Sequence, residues 1–302
     1  MTMNAMVAGR LRAAGLDPGD TERVVRAALD EDLRYGPDVT SAATAAPGAR
    51  AAGGVVAREP GVLAGVPVVL AVLDAAGIPP EAVQGPEPLR ADGDRIEAGA
   101  EVLRIRAPLR ALLGAERTLL NFLTHLSGIA TATRAWADAL SGTGCAVRDT
   151  RKTTPGLRQL EKYAVRCGGG TNHRMGLGDA ALVKDNHVAA AGGVAAAIRA
   201  VREVAPGLPL EVECDTLDQV REALAEGAGL ILLDNMDLAD LCAAVAMARR
   251  YPAAQLEASG GLRLETARAV AETGVDFIAV GALTHSSPAL DLGLDVVPAT
   301  VR

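Results

Sequence analysis

A chain of 302 residues with 49% hydrophobic and 22% charged residues is globular in composition and long enough for about two domains. A formal net charge of −7 excludes a general polyanion-binding surface, and aromatics at 2% leave no stacking platform for single-stranded nucleic acid. The N-terminal MTMNAMVAGRLRAAG lacks a signal-peptide apolar run, and the longest apolar stretch, 61–73, is too short and too broken by Gly65 and Pro67 to span a bilayer. The four cysteines, Cys145, Cys167, Cys214 and Cys242, show no CxxC and no metal-type spacing. The expectation is a cytoplasmic protein, with neither nucleic acid nor membrane as partner, whose cysteines are reduced core thiols.

Residues 19–34, GDTERVVRAALDEDLR, read as an amphipathic helix capped by Asp20 or Thr21 and stopped by Gly36-Pro37-Asp38. From about 50 to 106 the pattern shifts to short β-type runs, GGVVAR and EVLRIRA, with the turn DGDRIEAGA and an apolar helix, VPVVLAVLDAAG, between them. Pro108 suits the first turn of a long helix reaching about Leu126. Ser127-Gly128 is expected to break that helix, and a second one carries Ile129 to Leu140. The pair Glu116-Arg117 is, taken alone, surface decoration.

From Cys145 the chain alternates strand, loop and helix. Candidate strands are CAVRDT (145–150), ALVKD (181–185), PLEVEC (209–214), GLILLD (229–234), QLEASG (255–260) and DFIAVG (276–281). Repeated βα units argue for a parallel sheet, closed as a barrel or doubly wound. A barrel is favoured because each strand ends in a polar group, and barrel strands bring those ends to one mouth.

The stretch 148–187, RDTRKTTPGLRQLEKYAVRCGGGTNHRMGLGDAALVKDNH, holds all three lysines of the chain, Lys152, Lys162 and Lys184, although Lys plus Arg total 30. Lysine kept only here suggests positions where a compact ammonium serves better than a planar guanidinium. Arg151, Lys152, Arg174 and Lys184 are placed to surround a small, multiply charged anion, since four cations without acidic partners would otherwise repel one another. Glu213 and Asp234 end successive strands, and their oxygens suit Mg²⁺, ribose hydroxyls or a developing cation. Ser259-Gly260-Gly261 and Gly281-Ala282 follow the last two strands, where barrels commonly hold a phosphate on backbone N–H groups. Together these describe a mouth for an anionic acceptor and a phosphorylated co-substrate with Mg²⁺.

Several linked segments then carry a resemblance. RDTRKTTPGLRQLEKYAV, GGGTNHRMGLGDAALVKDNH, EVE, LLDN, EASGG and GVDFIAVGALTHS, with ERTLLNFLTHLSGIATAT and DGDRIEAGAEVL before them, resemble the motif series of the quinolinate phosphoribosyltransferases. These are the decarboxylating enzymes that form nicotinate mononucleotide in de novo NAD synthesis. The resemblance covers nearly the whole chain in order. It implies an N-terminal α/β open-sandwich domain, 1–115, completed by 287–302. It also implies an irregular, incomplete α/β barrel, 116–286, with fewer strands than eight.

The resemblance implies transfer of phosphoribosyl from phosphoribosyl pyrophosphate to quinolinate, with loss of CO₂. It places Arg151, His173, Arg174 and Lys184 on the quinolinate carboxylates and Lys152 beside the reacting ring. Glu213 and Asp234 fall near the ribose and Mg²⁺, touching the ion directly or through water. Ser259, Gly260, Gly281 and His285 fall at the 5′-phosphate. A homodimer at least is implied, with Arg117 contributed across the interface. Two other readings stand beside this one: a Schiff-base aldolase using Lys184 or Lys152, and a paralogous barrel protein acting on or binding a different small anion, non-catalytic or transport-associated. Lys162 has no role in any of them.

Overall fold

In the computed structural model, which describes residues 3–83 and 90–298, the chain starts with three helices, each opened by a side-chain cap. Asn4 caps α1 (Ala5–Ala13), Asp17 caps α2 (Pro18–Leu33) and Asp38 caps α3 (Val39–Thr44), each accepting a backbone N–H at 2.8–2.9 Å. For α2 this corrects the sequence expectation of Asp20 or Thr21. Pro18 takes the first helical position, where its fixed φ and missing N–H cost nothing, so the cap moves back to Asp17.

Next come β1 (Arg50–Ala57), β2 (Gly61–Val62), α4 (Val66–Ala75), β3 (Arg95–Ile96), β4 (Glu101–Pro108) and α5 (Leu109–Ala139). The expected break at Ser127-Gly128 is absent, because α5 runs through both residues. They serve packing. Ser127 Oγ accepts the Ala64 N–H at 3.0 Å, and a Cβ on residue 128 would stand 2.1 Å from the Pro288 carbonyl oxygen. Leu112, Ala115, Leu119, Leu123, Leu126 and Ala130 recur at helical spacing along α5, none more than 1% exposed.

The remaining elements are β5 (Ala146–Arg148), α6 (Arg158–Cys167), β6 (Ala181–Val183), α7 (Asp185–Ala191), α8 (Val194–Val204), β7 (Leu210–Cys214) and α9 (Leu217–Ala225). They continue as β8 (Leu230–Asp234), α10 (Leu238–Ala248), β9 (Gln255–Ser259), α11 (Leu264–Ala271), β10 (Phe277–Ala279), α12 (Ala282–His285) and β11 (Leu292–Pro298).

Two compact units form. The first holds 1–132, 154–169 and 286–302, the second 133–153 and 170–285. The units interleave along the chain, whereas the sequence reading divides it at 115/116 with a return at 287. In the first, β1 pairs antiparallel with β4 on one side and β11 on the other. The last four residues of that C-terminal segment, 299–302, lie outside the described residues. Lys162 is fully buried in this unit, on α6, and so does not belong to the unit that carries the strand-end loops.

The second unit is a six-stranded parallel sheet in the order β5-β10-β9-β8-β7-β6. Val212, Ile231, Leu233, Leu256 and Ile278 are at most 2% exposed, as in parallel strands covered on both faces. A parallel α/β sheet of six strands agrees with the expected α/β class and with the strand number below eight that the resemblance implies. Because all six strands run the same way, their carboxyl ends share one edge. Among the described residues, no helix is long and apolar enough to cross a membrane. All four cysteines are free; Cys145 and Cys214 are buried, but Cys242 is exposed on α10, which corrects its placement in the core.

Candidate active site

At that edge lies a cavity of about 420 Å³. Arg151, Lys152, Arg174 and Lys184 line it together with Glu213, Asp234, Ser259 and Gly260. The strands position them. Lys184 follows β6, Glu213 and Asp234 stand at the ends of β7 and β8, and Ser259 ends β9.

The cations are not all without acidic partners, as the sequence reading assumed. Lys184 Nζ donates to Glu213 Oε2 at 2.6 Å. Arg174 fits the expectation better. Its Nη1 donates to the Ala180 carbonyl at 3.0 Å, while its buried Nε has no hydrogen-bond partner among the described residues. Burial first, and then the neighbouring charge of Arg151, hold the Arg174 guanidinium below its ordinary value. An orphaned cationic donor beside a second cation is a place for an anion.

Asp234 Oδ2 accepts Asn235 Nδ2 at 2.6 Å. Asn235 is the one non-glycine with positive φ among the described residues, at 54°, and its N–H donates to the Ser259 carbonyl at 2.9 Å. Gly260 is required beside it: φ is 92°, and a Cβ there would stand 2.2 Å from Asn235 Oδ1. The turns after β8 and β9 are therefore locked together through Asn235. Across the mouth, Thr284 Oγ1 donates to the Lys152 carbonyl at 2.8 Å. A Cβ on Gly281 would stand 2.9 Å from Lys152 Cδ and 3.5 Å from His285 Nε2, so Gly281 and the exposed His285 flank Lys152.

Deep in the site lies a set of buried side chains to which the sequence alone assigns no role. Glu257, fully buried, receives Arg148 Nη1 at 2.6 Å, and the Arg148 guanidinium carbon lies 4.5 Å from the Phe277 ring centroid. Burial, and then the like charge of Glu211, push the Glu257 carboxyl up to about 7, against the pull of Arg148. Asp149, also fully buried, accepts the His173 N–H at 2.8 Å and Asn172 Nδ2 at 2.5 Å. A signal for this set does exist in the sequence. Glu211 and Glu257 sit two residues before Glu213 and Ser259, in strands otherwise apolar, so period two turns each to the same face as the mouth residue.

Of the expected site residues, Arg151, Lys152, His173, Arg174, Lys184, Glu213, Asp234, Ser259 and Gly260 line this one cavity. Arg117 belongs to the first unit, exposed on α5.

The sequence profile for the N-terminal domain of quinolinate phosphoribosyl transferase matches residues 38–127, and that for its C-terminal domain matches 129–295. The chain belongs to the quinolinate phosphoribosyl transferase family. Among its relatives, the carboxylating nicotinate-nucleotide pyrophosphorylase of Mycobacterium leprae is 55% identical over 278 residues, covering 90% of this chain and 95% of the relative. The chloroplastic enzyme of the same name from Arabidopsis thaliana is 39% identical, covering 92% and 83%. The crystal structure of NadC from Streptococcus pyogenes superposes with a TM-score of 0.88 at 40% identity, covering 94% of this chain and 99% of that one. As a quinolinate phosphoribosyl transferase, the chain is a decarboxylating pentosyltransferase of NAD biosynthesis. The aldolase and anion-binding readings give way to it.

Proposed function

We propose that the cavity binds quinolinate through Arg151, Arg174 and Lys184 and phosphoribosyl pyrophosphate through Glu213, Asp234 and the glycine turn after β9. The observation that carries this is the shared lining of one mouth: Arg151, Arg174 and Lys184 stand in the same cavity as the carboxylates Glu213 and Asp234 and the locked glycine turn after β9. Guanidinium and ammonium groups fix the two carboxylates of the acceptor and so orient its ring nitrogen. Lys152, beside Gly281 and His285, stands between acceptor and phosphate sides and contributes charge near the reacting carbon. Ser259, Gly260, Gly281 and His285 form the 5′-phosphate end.

The ring nitrogen attacks C1 of the ribose as the bond to pyrophosphate breaks. Positive charge grows on the sugar, and the carboxylates of Glu213 and Asp234 stabilise it electrostatically. Quaternising the nitrogen makes the adjacent ring carbon a better carbanion centre. Its carboxylate leaves as CO₂, the electron pair remains on carbon and a proton replaces it. Glu213 and Asp234 also suit Mg²⁺, being hard oxygen donors that line the same cavity. The ion, when bound, neutralises charge on the departing pyrophosphate. Because Glu213 is held by Lys184, Asp234 is the carboxylate more readily offered to it.

The same reading makes the protein a cytoplasmic homodimer, with Arg117 of a second copy reaching the quinolinate carboxylates. The exposure of Arg117 in the ERT segment of α5 supports this. Incubation with quinolinate, phosphoribosyl pyrophosphate and Mg²⁺ tests the whole assignment. Nicotinate mononucleotide, pyrophosphate and CO₂ are expected in equal amounts. Product from nicotinate but not from quinolinate overturns it.

A further inference from the structure

The ring of His173, part of the cavity lining, sits between two buried carboxylates. Its Nε2 lies 2.6 Å from Glu211 Oε2 and 3.7 Å from Glu257 Oε1. Glu211 is 3% exposed and Glu257 fully buried. Such a trio invites a metal reading, but the shorter distance is that of a hydrogen bond. Two ligands bound at about 2.0–2.1 Å to a tetrahedral ion stand roughly 3.3 Å apart. Glu257 gives Oε2 to Arg148 at 2.6 Å, and its Oε1, at 3.7 Å from His173 Nε2, is beyond hydrogen-bond reach, which leaves Glu211 as the acceptor for His173.

The other ring nitrogen settles the tautomer. His173 Nδ1 accepts the backbone N–H of Arg174 at 2.8 Å. A nitrogen that accepts carries no proton, so the ring proton is on Nε2 and is given to Glu211. Both ring nitrogens are thereby committed inside the chain. The imidazole has no N–H left for a substrate carboxylate, although the family resemblance groups His173 with the carboxylate ligands.

We propose that Glu211 is a positioning residue for acceptor binding: it holds His173 as the Nε2–H tautomer, and His173 in turn fixes the peptide of Arg174. The relay runs Glu211 Oε2, His173 Nε2–H, His173 Nδ1, Arg174 N–H. It ends at a guanidinium whose Nη1 is tied to Ala180 and whose buried Nε awaits an anion. Asp149 secures the same turn by accepting the His173 N–H at 2.8 Å. Without an acceptor at residue 211, a buried N–H is orphaned and the ring gains by turning, which releases the Arg174 N–H. A small displacement of a substrate-orienting guanidinium is costly to binding. This inference rests on reading the cavity as the quinolinate site.

The test compares Glu211→Leu with Glu211→Gln. Glutamine keeps a carbonyl oxygen for Nε2–H, and leucine does not. For Glu211→Leu, the KM for quinolinate is expected to rise about tenfold or more, with the KM for phosphoribosyl pyrophosphate within about twofold. Glu211→Gln is expected within about threefold of wild type on both. Equal rises in both KM values, an unchanged quinolinate KM, or a glutamine variant as poor as the leucine one overturns the proposal. Nitrogen-15 NMR of histidine-labelled wild type, with the His173 signal assigned by His173→Gln, reads the tautomer directly even if Glu211→Leu fails to fold. A proton on Nε2 alone supports the relay; a proton on Nδ1 at neutral pH refutes it. Absence of wild-type turnover with quinolinate would instead sink the site reading on which the inference stands.

Discussion

Lys184 Nζ lies 2.6 Å from Glu213 Oε2, so a cation after β6 and a carboxylate at the end of the neighbouring β7 neutralise each other in the lining of the cavity. The lysine side chain is 47% exposed and the glutamate 12%, so the pair is only partly desolvated and contributes little to stability, about 0–1 kcal/mol. Its value is in the site. On the proposed function, an incoming quinolinate carboxylate competes for Lys184 and releases Glu213 toward the sugar. Lys184→Met is therefore expected to raise the KM for quinolinate about tenfold or more while shifting the thermal midpoint by less than about 4 °C. Steady-state kinetics with thermal unfolding checks both, and an unchanged KM would remove Lys184 from the acceptor site.

Glu257 gives a pH prediction with a definite sign. Its carboxyl is pushed up to about 7 in the folded protein, from an ordinary value of 4.5. Below 4.5 the group is protonated whether the chain is folded or not, and it exacts no penalty. As pH rises from there toward 7, the unfolded chain ionises first and is favoured, so stability falls through that window and levels off above it. Glu257→Gln removes the titration. Denaturant melts from pH 4.5 to 7.5 should show a shallower loss for the variant, with a difference on the order of a few kcal/mol at most. Parallel profiles for both proteins would refute the assignment.

Gly260 and Gly261 are adjacent, both with positive φ, at 92° and 57°, yet only Gly260 faces Asn235. Gly260→Ala forces a Cβ into Asn235 and is expected to cost about 2 kcal/mol or more, with a higher KM for phosphoribosyl pyrophosphate. Gly261→Ala meets nothing within 4 Å and should cost about 1 kcal/mol, the left-handed backbone alone. Urea unfolding ranks the two. Equal costs would show that the Asn235 lock is absent.

Chelation tests the ion. With EDTA in excess, turnover is expected to fall by about a hundredfold or more and to return with added Mg²⁺. Asp234→Asn should raise the Mg²⁺ concentration needed for half-maximal rate. Full activity in EDTA would refute the metal assignment.

Mixing tests the shared site. Arg117→Ala and Lys152→Ala homodimers are each expected to be inactive. Co-refolded, they form mixed dimers with one intact site, so about a quarter of wild-type activity should reappear. No recovery would place Arg117 outside a partner's site.

What the amino-acid sequence determined by itself is the chemistry at the strand ends and the order in which it arrives. Motifs there are local: Lys184, Glu213, Asp234 and Ser259 each follow an apolar run short enough to be a strand, and parallel strands must bring those ends to one edge. The tertiary structure alone decided who touches whom. Nothing in the chain order says that Lys184 meets Glu213, that Glu211 meets His173 or that Asn235 demands Gly260, because each pair joins different strands or loops. The same holds for Ser127-Gly128, a helix breaker by composition. A buried contact with Ala64 and a close approach by Pro288 outweigh the local propensity, which is worth only about 1 kcal/mol per glycine. Lys162, too, shares a sequence cluster with the site lysines yet is buried in the other unit, since the chain leaves the second unit at 154 and returns to it only at 170.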